Sequence, residues 1–128
     1  MKQIENHNTI KSLEALFKNS LDAIVYVDKD FCVVDINQPF ENLFGYKLEE
    51  IRGKNLDDVI EQGKAGSTNR EATAEILTGI HTDTEGIRYN NAGHPINVLI
   101  KGIPVFIDGR ITGVYGIYSN ITERVEAE

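Results

Sequence analysis

Two short connections near the end of the chain, Asn91-Ala92-Gly93 and Asp108-Gly109, restrict its fold more than any other feature. They separate three β-rich runs, about 81 to 90, 95 to 107 and 111 to 121. A parallel pair needs a crossover of a dozen residues or more, so runs joined this tightly can pair in succession only as antiparallel neighbours. Asp-Gly is also a strong hairpin signal, because a two-residue turn of this kind needs positive φ at its centre.

The earlier half reads differently. Ile10, Leu13, Leu16 and Phe17 recur at helical spacing and give an otherwise polar N-terminal segment one apolar stripe. Two short β-rich runs follow, Ile24 to Asp28 and Phe31 to Ile36, joined through the turn-forming Asp28-Lys29-Asp30. Strict alternation in the second run would place Cys32, Val34 and Ile36 on one face, with Cys32 as a small buried core residue.

Asn37 closes that run and can cap a helix with Pro39 in its first turn, Phe40, Leu43 and Phe44 on its apolar face, and Gly45 at its end. Leu48 to Arg52 and Leu56 to Glu61 read as further short helices, the second capped by Asn55. Thr68 and Glu71 have capping-box spacing and open a helix reaching about Leu77. The order is helix, two strands, several short helices, three strands. This predicts an α+β domain with a five-stranded antiparallel sheet, short helices on one face and an amphipathic N-terminal helix.

Composition excludes several functions. The net charge of −7, from 20 acidic against 13 basic residues, opposes the attraction that nucleic acid or an anionic membrane surface requires. No apolar run approaches the ~20 residues that span a bilayer, and MKQIENHN is not a signal peptide, so a soluble, cytoplasmic domain is expected. The single cysteine cannot form an internal disulfide, and no Cys/His cluster has metal-ligand spacing.

No catalytic constellation emerges. Glu49-Glu50 and Asp57-Asp58 are sequence neighbours, so on a helix their carboxylates diverge by about 100° and read as solvated first-turn charges. Gly102, Gly113 and Gly116 fall on strands, not in a phosphate-cradling loop before a helix. His7 and His94 read as solvated.

In several places the chain resembles the PAS family of sensory domains, across nearly all of residues 12 to 124. Ser20-Leu21-Asp22-Ala23-Ile24 resembles that family's lead into its first strand. Asn37 with Phe40, and Gly45-Tyr46 followed by Glu49-Glu50 and Gly53-Lys54, resemble its central segment. Asn120-Ile121-Thr122-Glu123-Arg124 resembles its Asp-Ile-Thr exit. Leu21, Phe31, Lys47 and Asn120 depart from that pattern, standing where proline, a turn glycine, a capping Ser or Thr, and the exit aspartate are common.

The resemblance implies an N-terminal cap or dimer helix over 1–19, a PAS domain over 20–122 and the start of a signalling helix over 123–128. It implies no catalysis by this chain, which would be the input domain of a protein such as a bacterial or archaeal histidine kinase or diguanylate cyclase. It also implies a cavity between sheet and helices, with Tyr26, Phe40, Phe44, Ile76, Val98, Ile100 and Tyr115 as candidate lining. An apolar or aromatic ligand with one hydrogen-bonding group suits that lining. A dianion does not, because no basic residue reads as inward-facing. The cofactor stays open. Flavin photochemistry is disfavoured because Cys32 lies on a strand, and haem because the helix over 68–77 offers no histidine, with His81 just beyond it.

On the opposite face of the sheet Leu99 and Ile103 need a cover. The stripe Ile10, Leu13, Leu16 and Phe17 can supply it, either on its own sheet or across a homodimer. The alternatives are an interaction module with a filled core and a cofactor-binding redox or gas sensor.

Overall fold

The computed structural model describes residues 2–63 and 82–127. The expected helix over 68–77, with Ile76, the capping pair Thr68 and Glu71, and His81, lies outside them.

Helix α1 (Lys2–Asn19) leads into strand β1 (Ala23–Asp28), then β2 (Val33–Ile36) and three short helices: α2 (Gln38–Phe44), α3 (Leu48–Ile51) and α4 (Leu56–Ile60). Strands β3 (Thr82–Tyr89), β4 (Pro95–Ile107) and β5 (Arg110–Asn120) follow, and α5 (Thr122–Ala127) closes the chain. The five strands form one antiparallel sheet in the order β2-β1-β5-β4-β3. The α+β architecture expected from the element order is the one observed.

Asp108 and Gly109 both have positive φ, 52° and 77°, as the tight β4–β5 hairpin requires. Asn37 caps α2 through its side chain, and Gly45 ends that helix in the left-handed conformation at φ 79°. The side chain of Asn91 packs against Gly45 so closely that a Cβ there would collide with it. Its Nδ2 donates to the Gly45 carbonyl at 2.8 Å, pinning the β3–β4 turn to the end of α2.

Phe31, where the family prefers glycine, adopts a left-handed φ of 63° yet is buried. A conformation costing about 1–2 kcal/mol is thus held in place by the burial of a large ring. Lys47 starts α3 without a side-chain cap; instead its backbone N–H donates to the Glu50 carboxylate at 2.8 Å.

The second strand corrects the alternation expected for it. Val27 pairs with Val33 and Tyr26 with Asp35, so Val34 is one extra residue, a β-bulge. The bulge resets the pleat. Val33 and Ile36 face the core, while Val34 and Asp35 both face out. Cys32 is only half-buried and forms an isolated bridge to Asn55, so it is not the core residue that strict alternation implied.

Candidate functional site

The sheet has two unlike faces. On the inner face Val25 and Val27 of β1, Val98 and Ile100 of β4, and Val114 and Tyr118 of β5 pack against Phe40 and Phe44 of α2. The aromatic rings fill this region. Phe40 and Phe44 lie 4.7 Å apart by centroid, and Tyr118 meets Phe44 edge-on at 5.4 Å and Phe40 at 6.2 Å.

A charged pair is set into the same interior. Arg88 of β3 pairs in register with the buried Ile96, and its Nη2 lies 3.1 Å from Glu61 Oε1, with both side chains 8% exposed. Its Nη1 donates to the Ile87 carbonyl at 2.9 Å. Gly86, two residues earlier on the same face, leaves room for the guanidinium: a Cβ there would sit 3.3 Å from Nη1. Arg88 is therefore an inward-facing cation, contrary to the expectation that none exists. Burial pushes the Tyr118 phenol well above its ordinary range; Arg88 opposes that shift, and Asp57 and Glu61 reinforce it.

Of the seven residues expected to line one cavity, Phe40, Phe44, Val98 and Ile100 come together on the inner face. Tyr26 and Tyr115 do not join them. The inner positions of β1 are Ala23, Val25 and Val27, so Tyr26 points to the outer face, directly across from Tyr115 on β5. Their rings lie 4.8 Å apart, and Phe17 of α1 approaches Tyr115 at 6.1 Å. Gly113 makes this possible, since a Cβ there would collide with the Tyr26 hydroxyl and the Val27 carbonyl oxygen.

The outer face thus carries a row running Tyr26, Tyr115, Ile103 across three strands. Leu99 lies four residues before Ile103 on the same side and is likewise half-buried. Helix α1 lies over the β1 and β2 end of this face. A cleft of about 400 Å³ between them is lined by Ile10, Leu13 and Phe17 of α1 with Tyr26, Val34, Asp35 and Tyr115 of the strands. The cover is partial: Ile10, Leu13 and Leu16 remain 54%, 59% and 70% exposed.

Both terminal helices are tied to the sheet. Asn37 is 2% exposed; its Oδ1 accepts from Ile24 N and Phe40 N, and its Nδ2 donates to the carbonyls of Phe17 and Asp22 at 3.0 Å each. At the other end Asn120 Oδ1 accepts from Thr122 N at 3.0 Å, the bond the exit aspartate would make. Ile121 N donates to the Asn97 carbonyl at 2.9 Å, and Arg124 of α5 forms an ion pair with Glu85 of β3.

The rest of the chemistry is sparse. Burial and the flanking Asp28 and Asp30 push the Cys32 thiol up, away from the reactive thiolate. Among the described residues no group of three or more His, Cys, Asp or Glu could hold a metal, and no helix is long and apolar enough to cross a membrane.

A family model described as PAS domain matches residues 21–123. No curated protein sequence matches the chain significantly. Among solved structures, the PAS domain of an HTR-like protein from Haloarcula marismortui superposes with a TM-score of 0.71 at 23% identity, over 94% of this chain and 98% of that one. A domain of a sensory box sensor histidine kinase/response regulator from Geobacter sulfurreducens gives 0.73 at 20% identity, over 88% and 94%. An RNA-binding Light-Oxygen-Voltage receptor gives 0.77 at 27% identity, over 91% of this chain but 34% of that one.

Proposed function

Because this chain belongs to the PAS domain family, we propose that it is a non-catalytic, dimerising sensory input domain of a signal-transduction protein such as a histidine kinase or diguanylate cyclase. The observation that carries this reading is the unfinished cover of the outer face. A helix that leaves Ile10, Leu13 and Leu16 more than half exposed beside a row of half-buried strand residues is under-packed as a monomer. Burying each such side chain contributes about 1.5–3 kcal/mol, and a second copy supplies the missing partner symmetrically. Ile10, Leu13, Leu16, Phe17, Leu99 and Ile103 form the proposed interface.

Signal would pass through the terminal helices. Asn37 joins α1 to the core and Asn97 joins α5 to β4, so a change in sheet packing biases both helices at once. The output domain of the same protein is the proposed partner beyond α5. The domain's place is proposed to be cytoplasmic.

The side-by-side packing of Phe40, Phe44 and Tyr118 supports an inner core filled by protein. A second reading, a small apolar or aromatic ligand in that core, draws support from the Arg88–Glu61 pair. A buried polar pair in an apolar interior offers such a ligand one anchoring point. Haem and flavin remain disfavoured in this reading. Native mass spectrometry with an absorbance spectrum, on protein purified without refolding, separates the two. A mass accounted for by chains alone supports the filled core; added mass identifies a ligand, and visible bands a cofactor.

A further inference from the structure

The cleft under α1 has a composition that neither the fold nor dimerisation requires. Three aromatic rings converge there, from Phe17, Tyr26 and Tyr115, and Tyr26 lies across the sheet because Gly113 has no side chain to lift it. Two carboxylates, Asp35 and Glu14, stand at its rim, and the bulge at Val34 turns Asp35 outward beside Tyr26. Asp35 lies close enough to Tyr115 to oppose ionisation of its phenol, after burial and Tyr26. The volume of about 400 Å³ falls in the range of small-molecule sites.

Aromatic faces attract cations through their quadrupoles, and they favour weakly hydrated organic cations over compact ones. Carboxylates at the rim add a counter-charge, and the net charge of −7 raises the local concentration of any cation. An anion would meet two carboxylates, Asp35 and Glu14, against one cation, Lys18. We propose that this cleft binds a small organic cation of the quaternary or tertiary ammonium class, held by the rings of Phe17, Tyr26 and Tyr115 with Asp35 and Glu14 as counter-ions. Lys18 at the rim is the competing cation. Its ammonium is strongly hydrated and its stem flexible, so it yields the ring faces to an alkylammonium ion. Occupancy would link α1 to the sheet through a ligand on the face opposite the packed core.

The test uses the full chain and choline chloride as probe, with 3,3-dimethylbutan-1-ol as its neutral isostere and sodium chloride to match ionic strength. Two of the five tyrosines, Tyr26 and Tyr115, line the cleft and the chain has no tryptophan, so tyrosine fluorescence responds to occupancy of the cleft. The expected result is a saturable response to choline at least about tenfold tighter than to the isostere. Lys18→Gln tightens it by about two- to fivefold and Asp35→Asn weakens it by a similar factor, as expected for partly exposed charges. Tyr115→Leu abolishes it; because that variant also removes the ring that packs against Phe17 and Tyr26, the two surface variants keep the test decisive. An unsaturable response, equal response to the isostere, or indifference to both surface variants overturns the inference. Chain mass plays no part in these readouts, so failure here leaves the dimer reading intact, and the converse holds.

Discussion

Asn37 Nδ2 donates to the carbonyl oxygen of Phe17, 3.0 Å away and twenty residues earlier in the chain. This bond anchors the last turn of α1 to the junction where β2 ends and α2 begins. The other three bonds of the same carboxamide reach β1, α2 and Asp22, which leaves no capacity for water. Asn37→Ala strands two buried N–H groups and two carbonyls. It should destabilise the domain by about 2–4 kcal/mol in urea denaturation. Hydrogen exchange should also show that the amides of α1 lose protection before those of the sheet.

The buried pair should show the asymmetry of charges held out of water. Arg88→Met or Glu61→Leu alone leaves one uncompensated charge at a site 8% exposed and should cost about 3–5 kcal/mol. The double variant removes both charges and should cost much less than the sum, with a coupling energy of at least about 2 kcal/mol. Additive losses in denaturant titrations would show that the two side chains act independently.

Tyr118 makes stability fall in alkali. Its folded-state proton affinity is raised by burial, so the folded protein retains the phenol proton at pH values where the unfolded chain, with an ordinary value near 10, releases it. The stabilisation is complete below about pH 10 and declines above it, by up to about 1.4 kcal/mol per pH unit. Tyr118→Phe should flatten that decline between about pH 10 and 12, measured as urea midpoints relative to the parent chain. Equal slopes in the two proteins would exclude Tyr118 as its source.

Much of the fold was legible because local chemistry and global arrangement agree. Asp108-Gly109 specifies its hairpin, and Asn37, Pro39 and Gly45 specify both ends of α2. The bulge at Val34 was not legible. It inserts one residue between Tyr26 and Val27 without a glycine to mark it, and only pairing with β1 reveals it. That single residue reverses the expected faces of Cys32 and Val34.

Arg88 left a signal that register could have found. Gly86 opposes Val98 and Arg88 opposes Ile96, so placing Val98 inward commits Arg88 inward too. Charge alone argued for the surface, and Glu61, the partner that makes burial tolerable, lies far away in sequence. For Tyr26 and Tyr115, the family resemblance suggested the inner cavity. Their strand parity, with Val25 and Val27 taking the inner positions, decides for the outer face.

The central claim is that the outer face and α1 form a dimer interface, and multi-angle light scattering tests it most directly. The parent chain should give twice the chain mass at about 100 µM, a concentration that populates an interface of modest affinity. Leu99→Glu combined with Ile103→Glu should give the mass of one chain, with an unchanged circular dichroism spectrum. A monomeric parent, or a variant that keeps the doubled mass, would contradict the account.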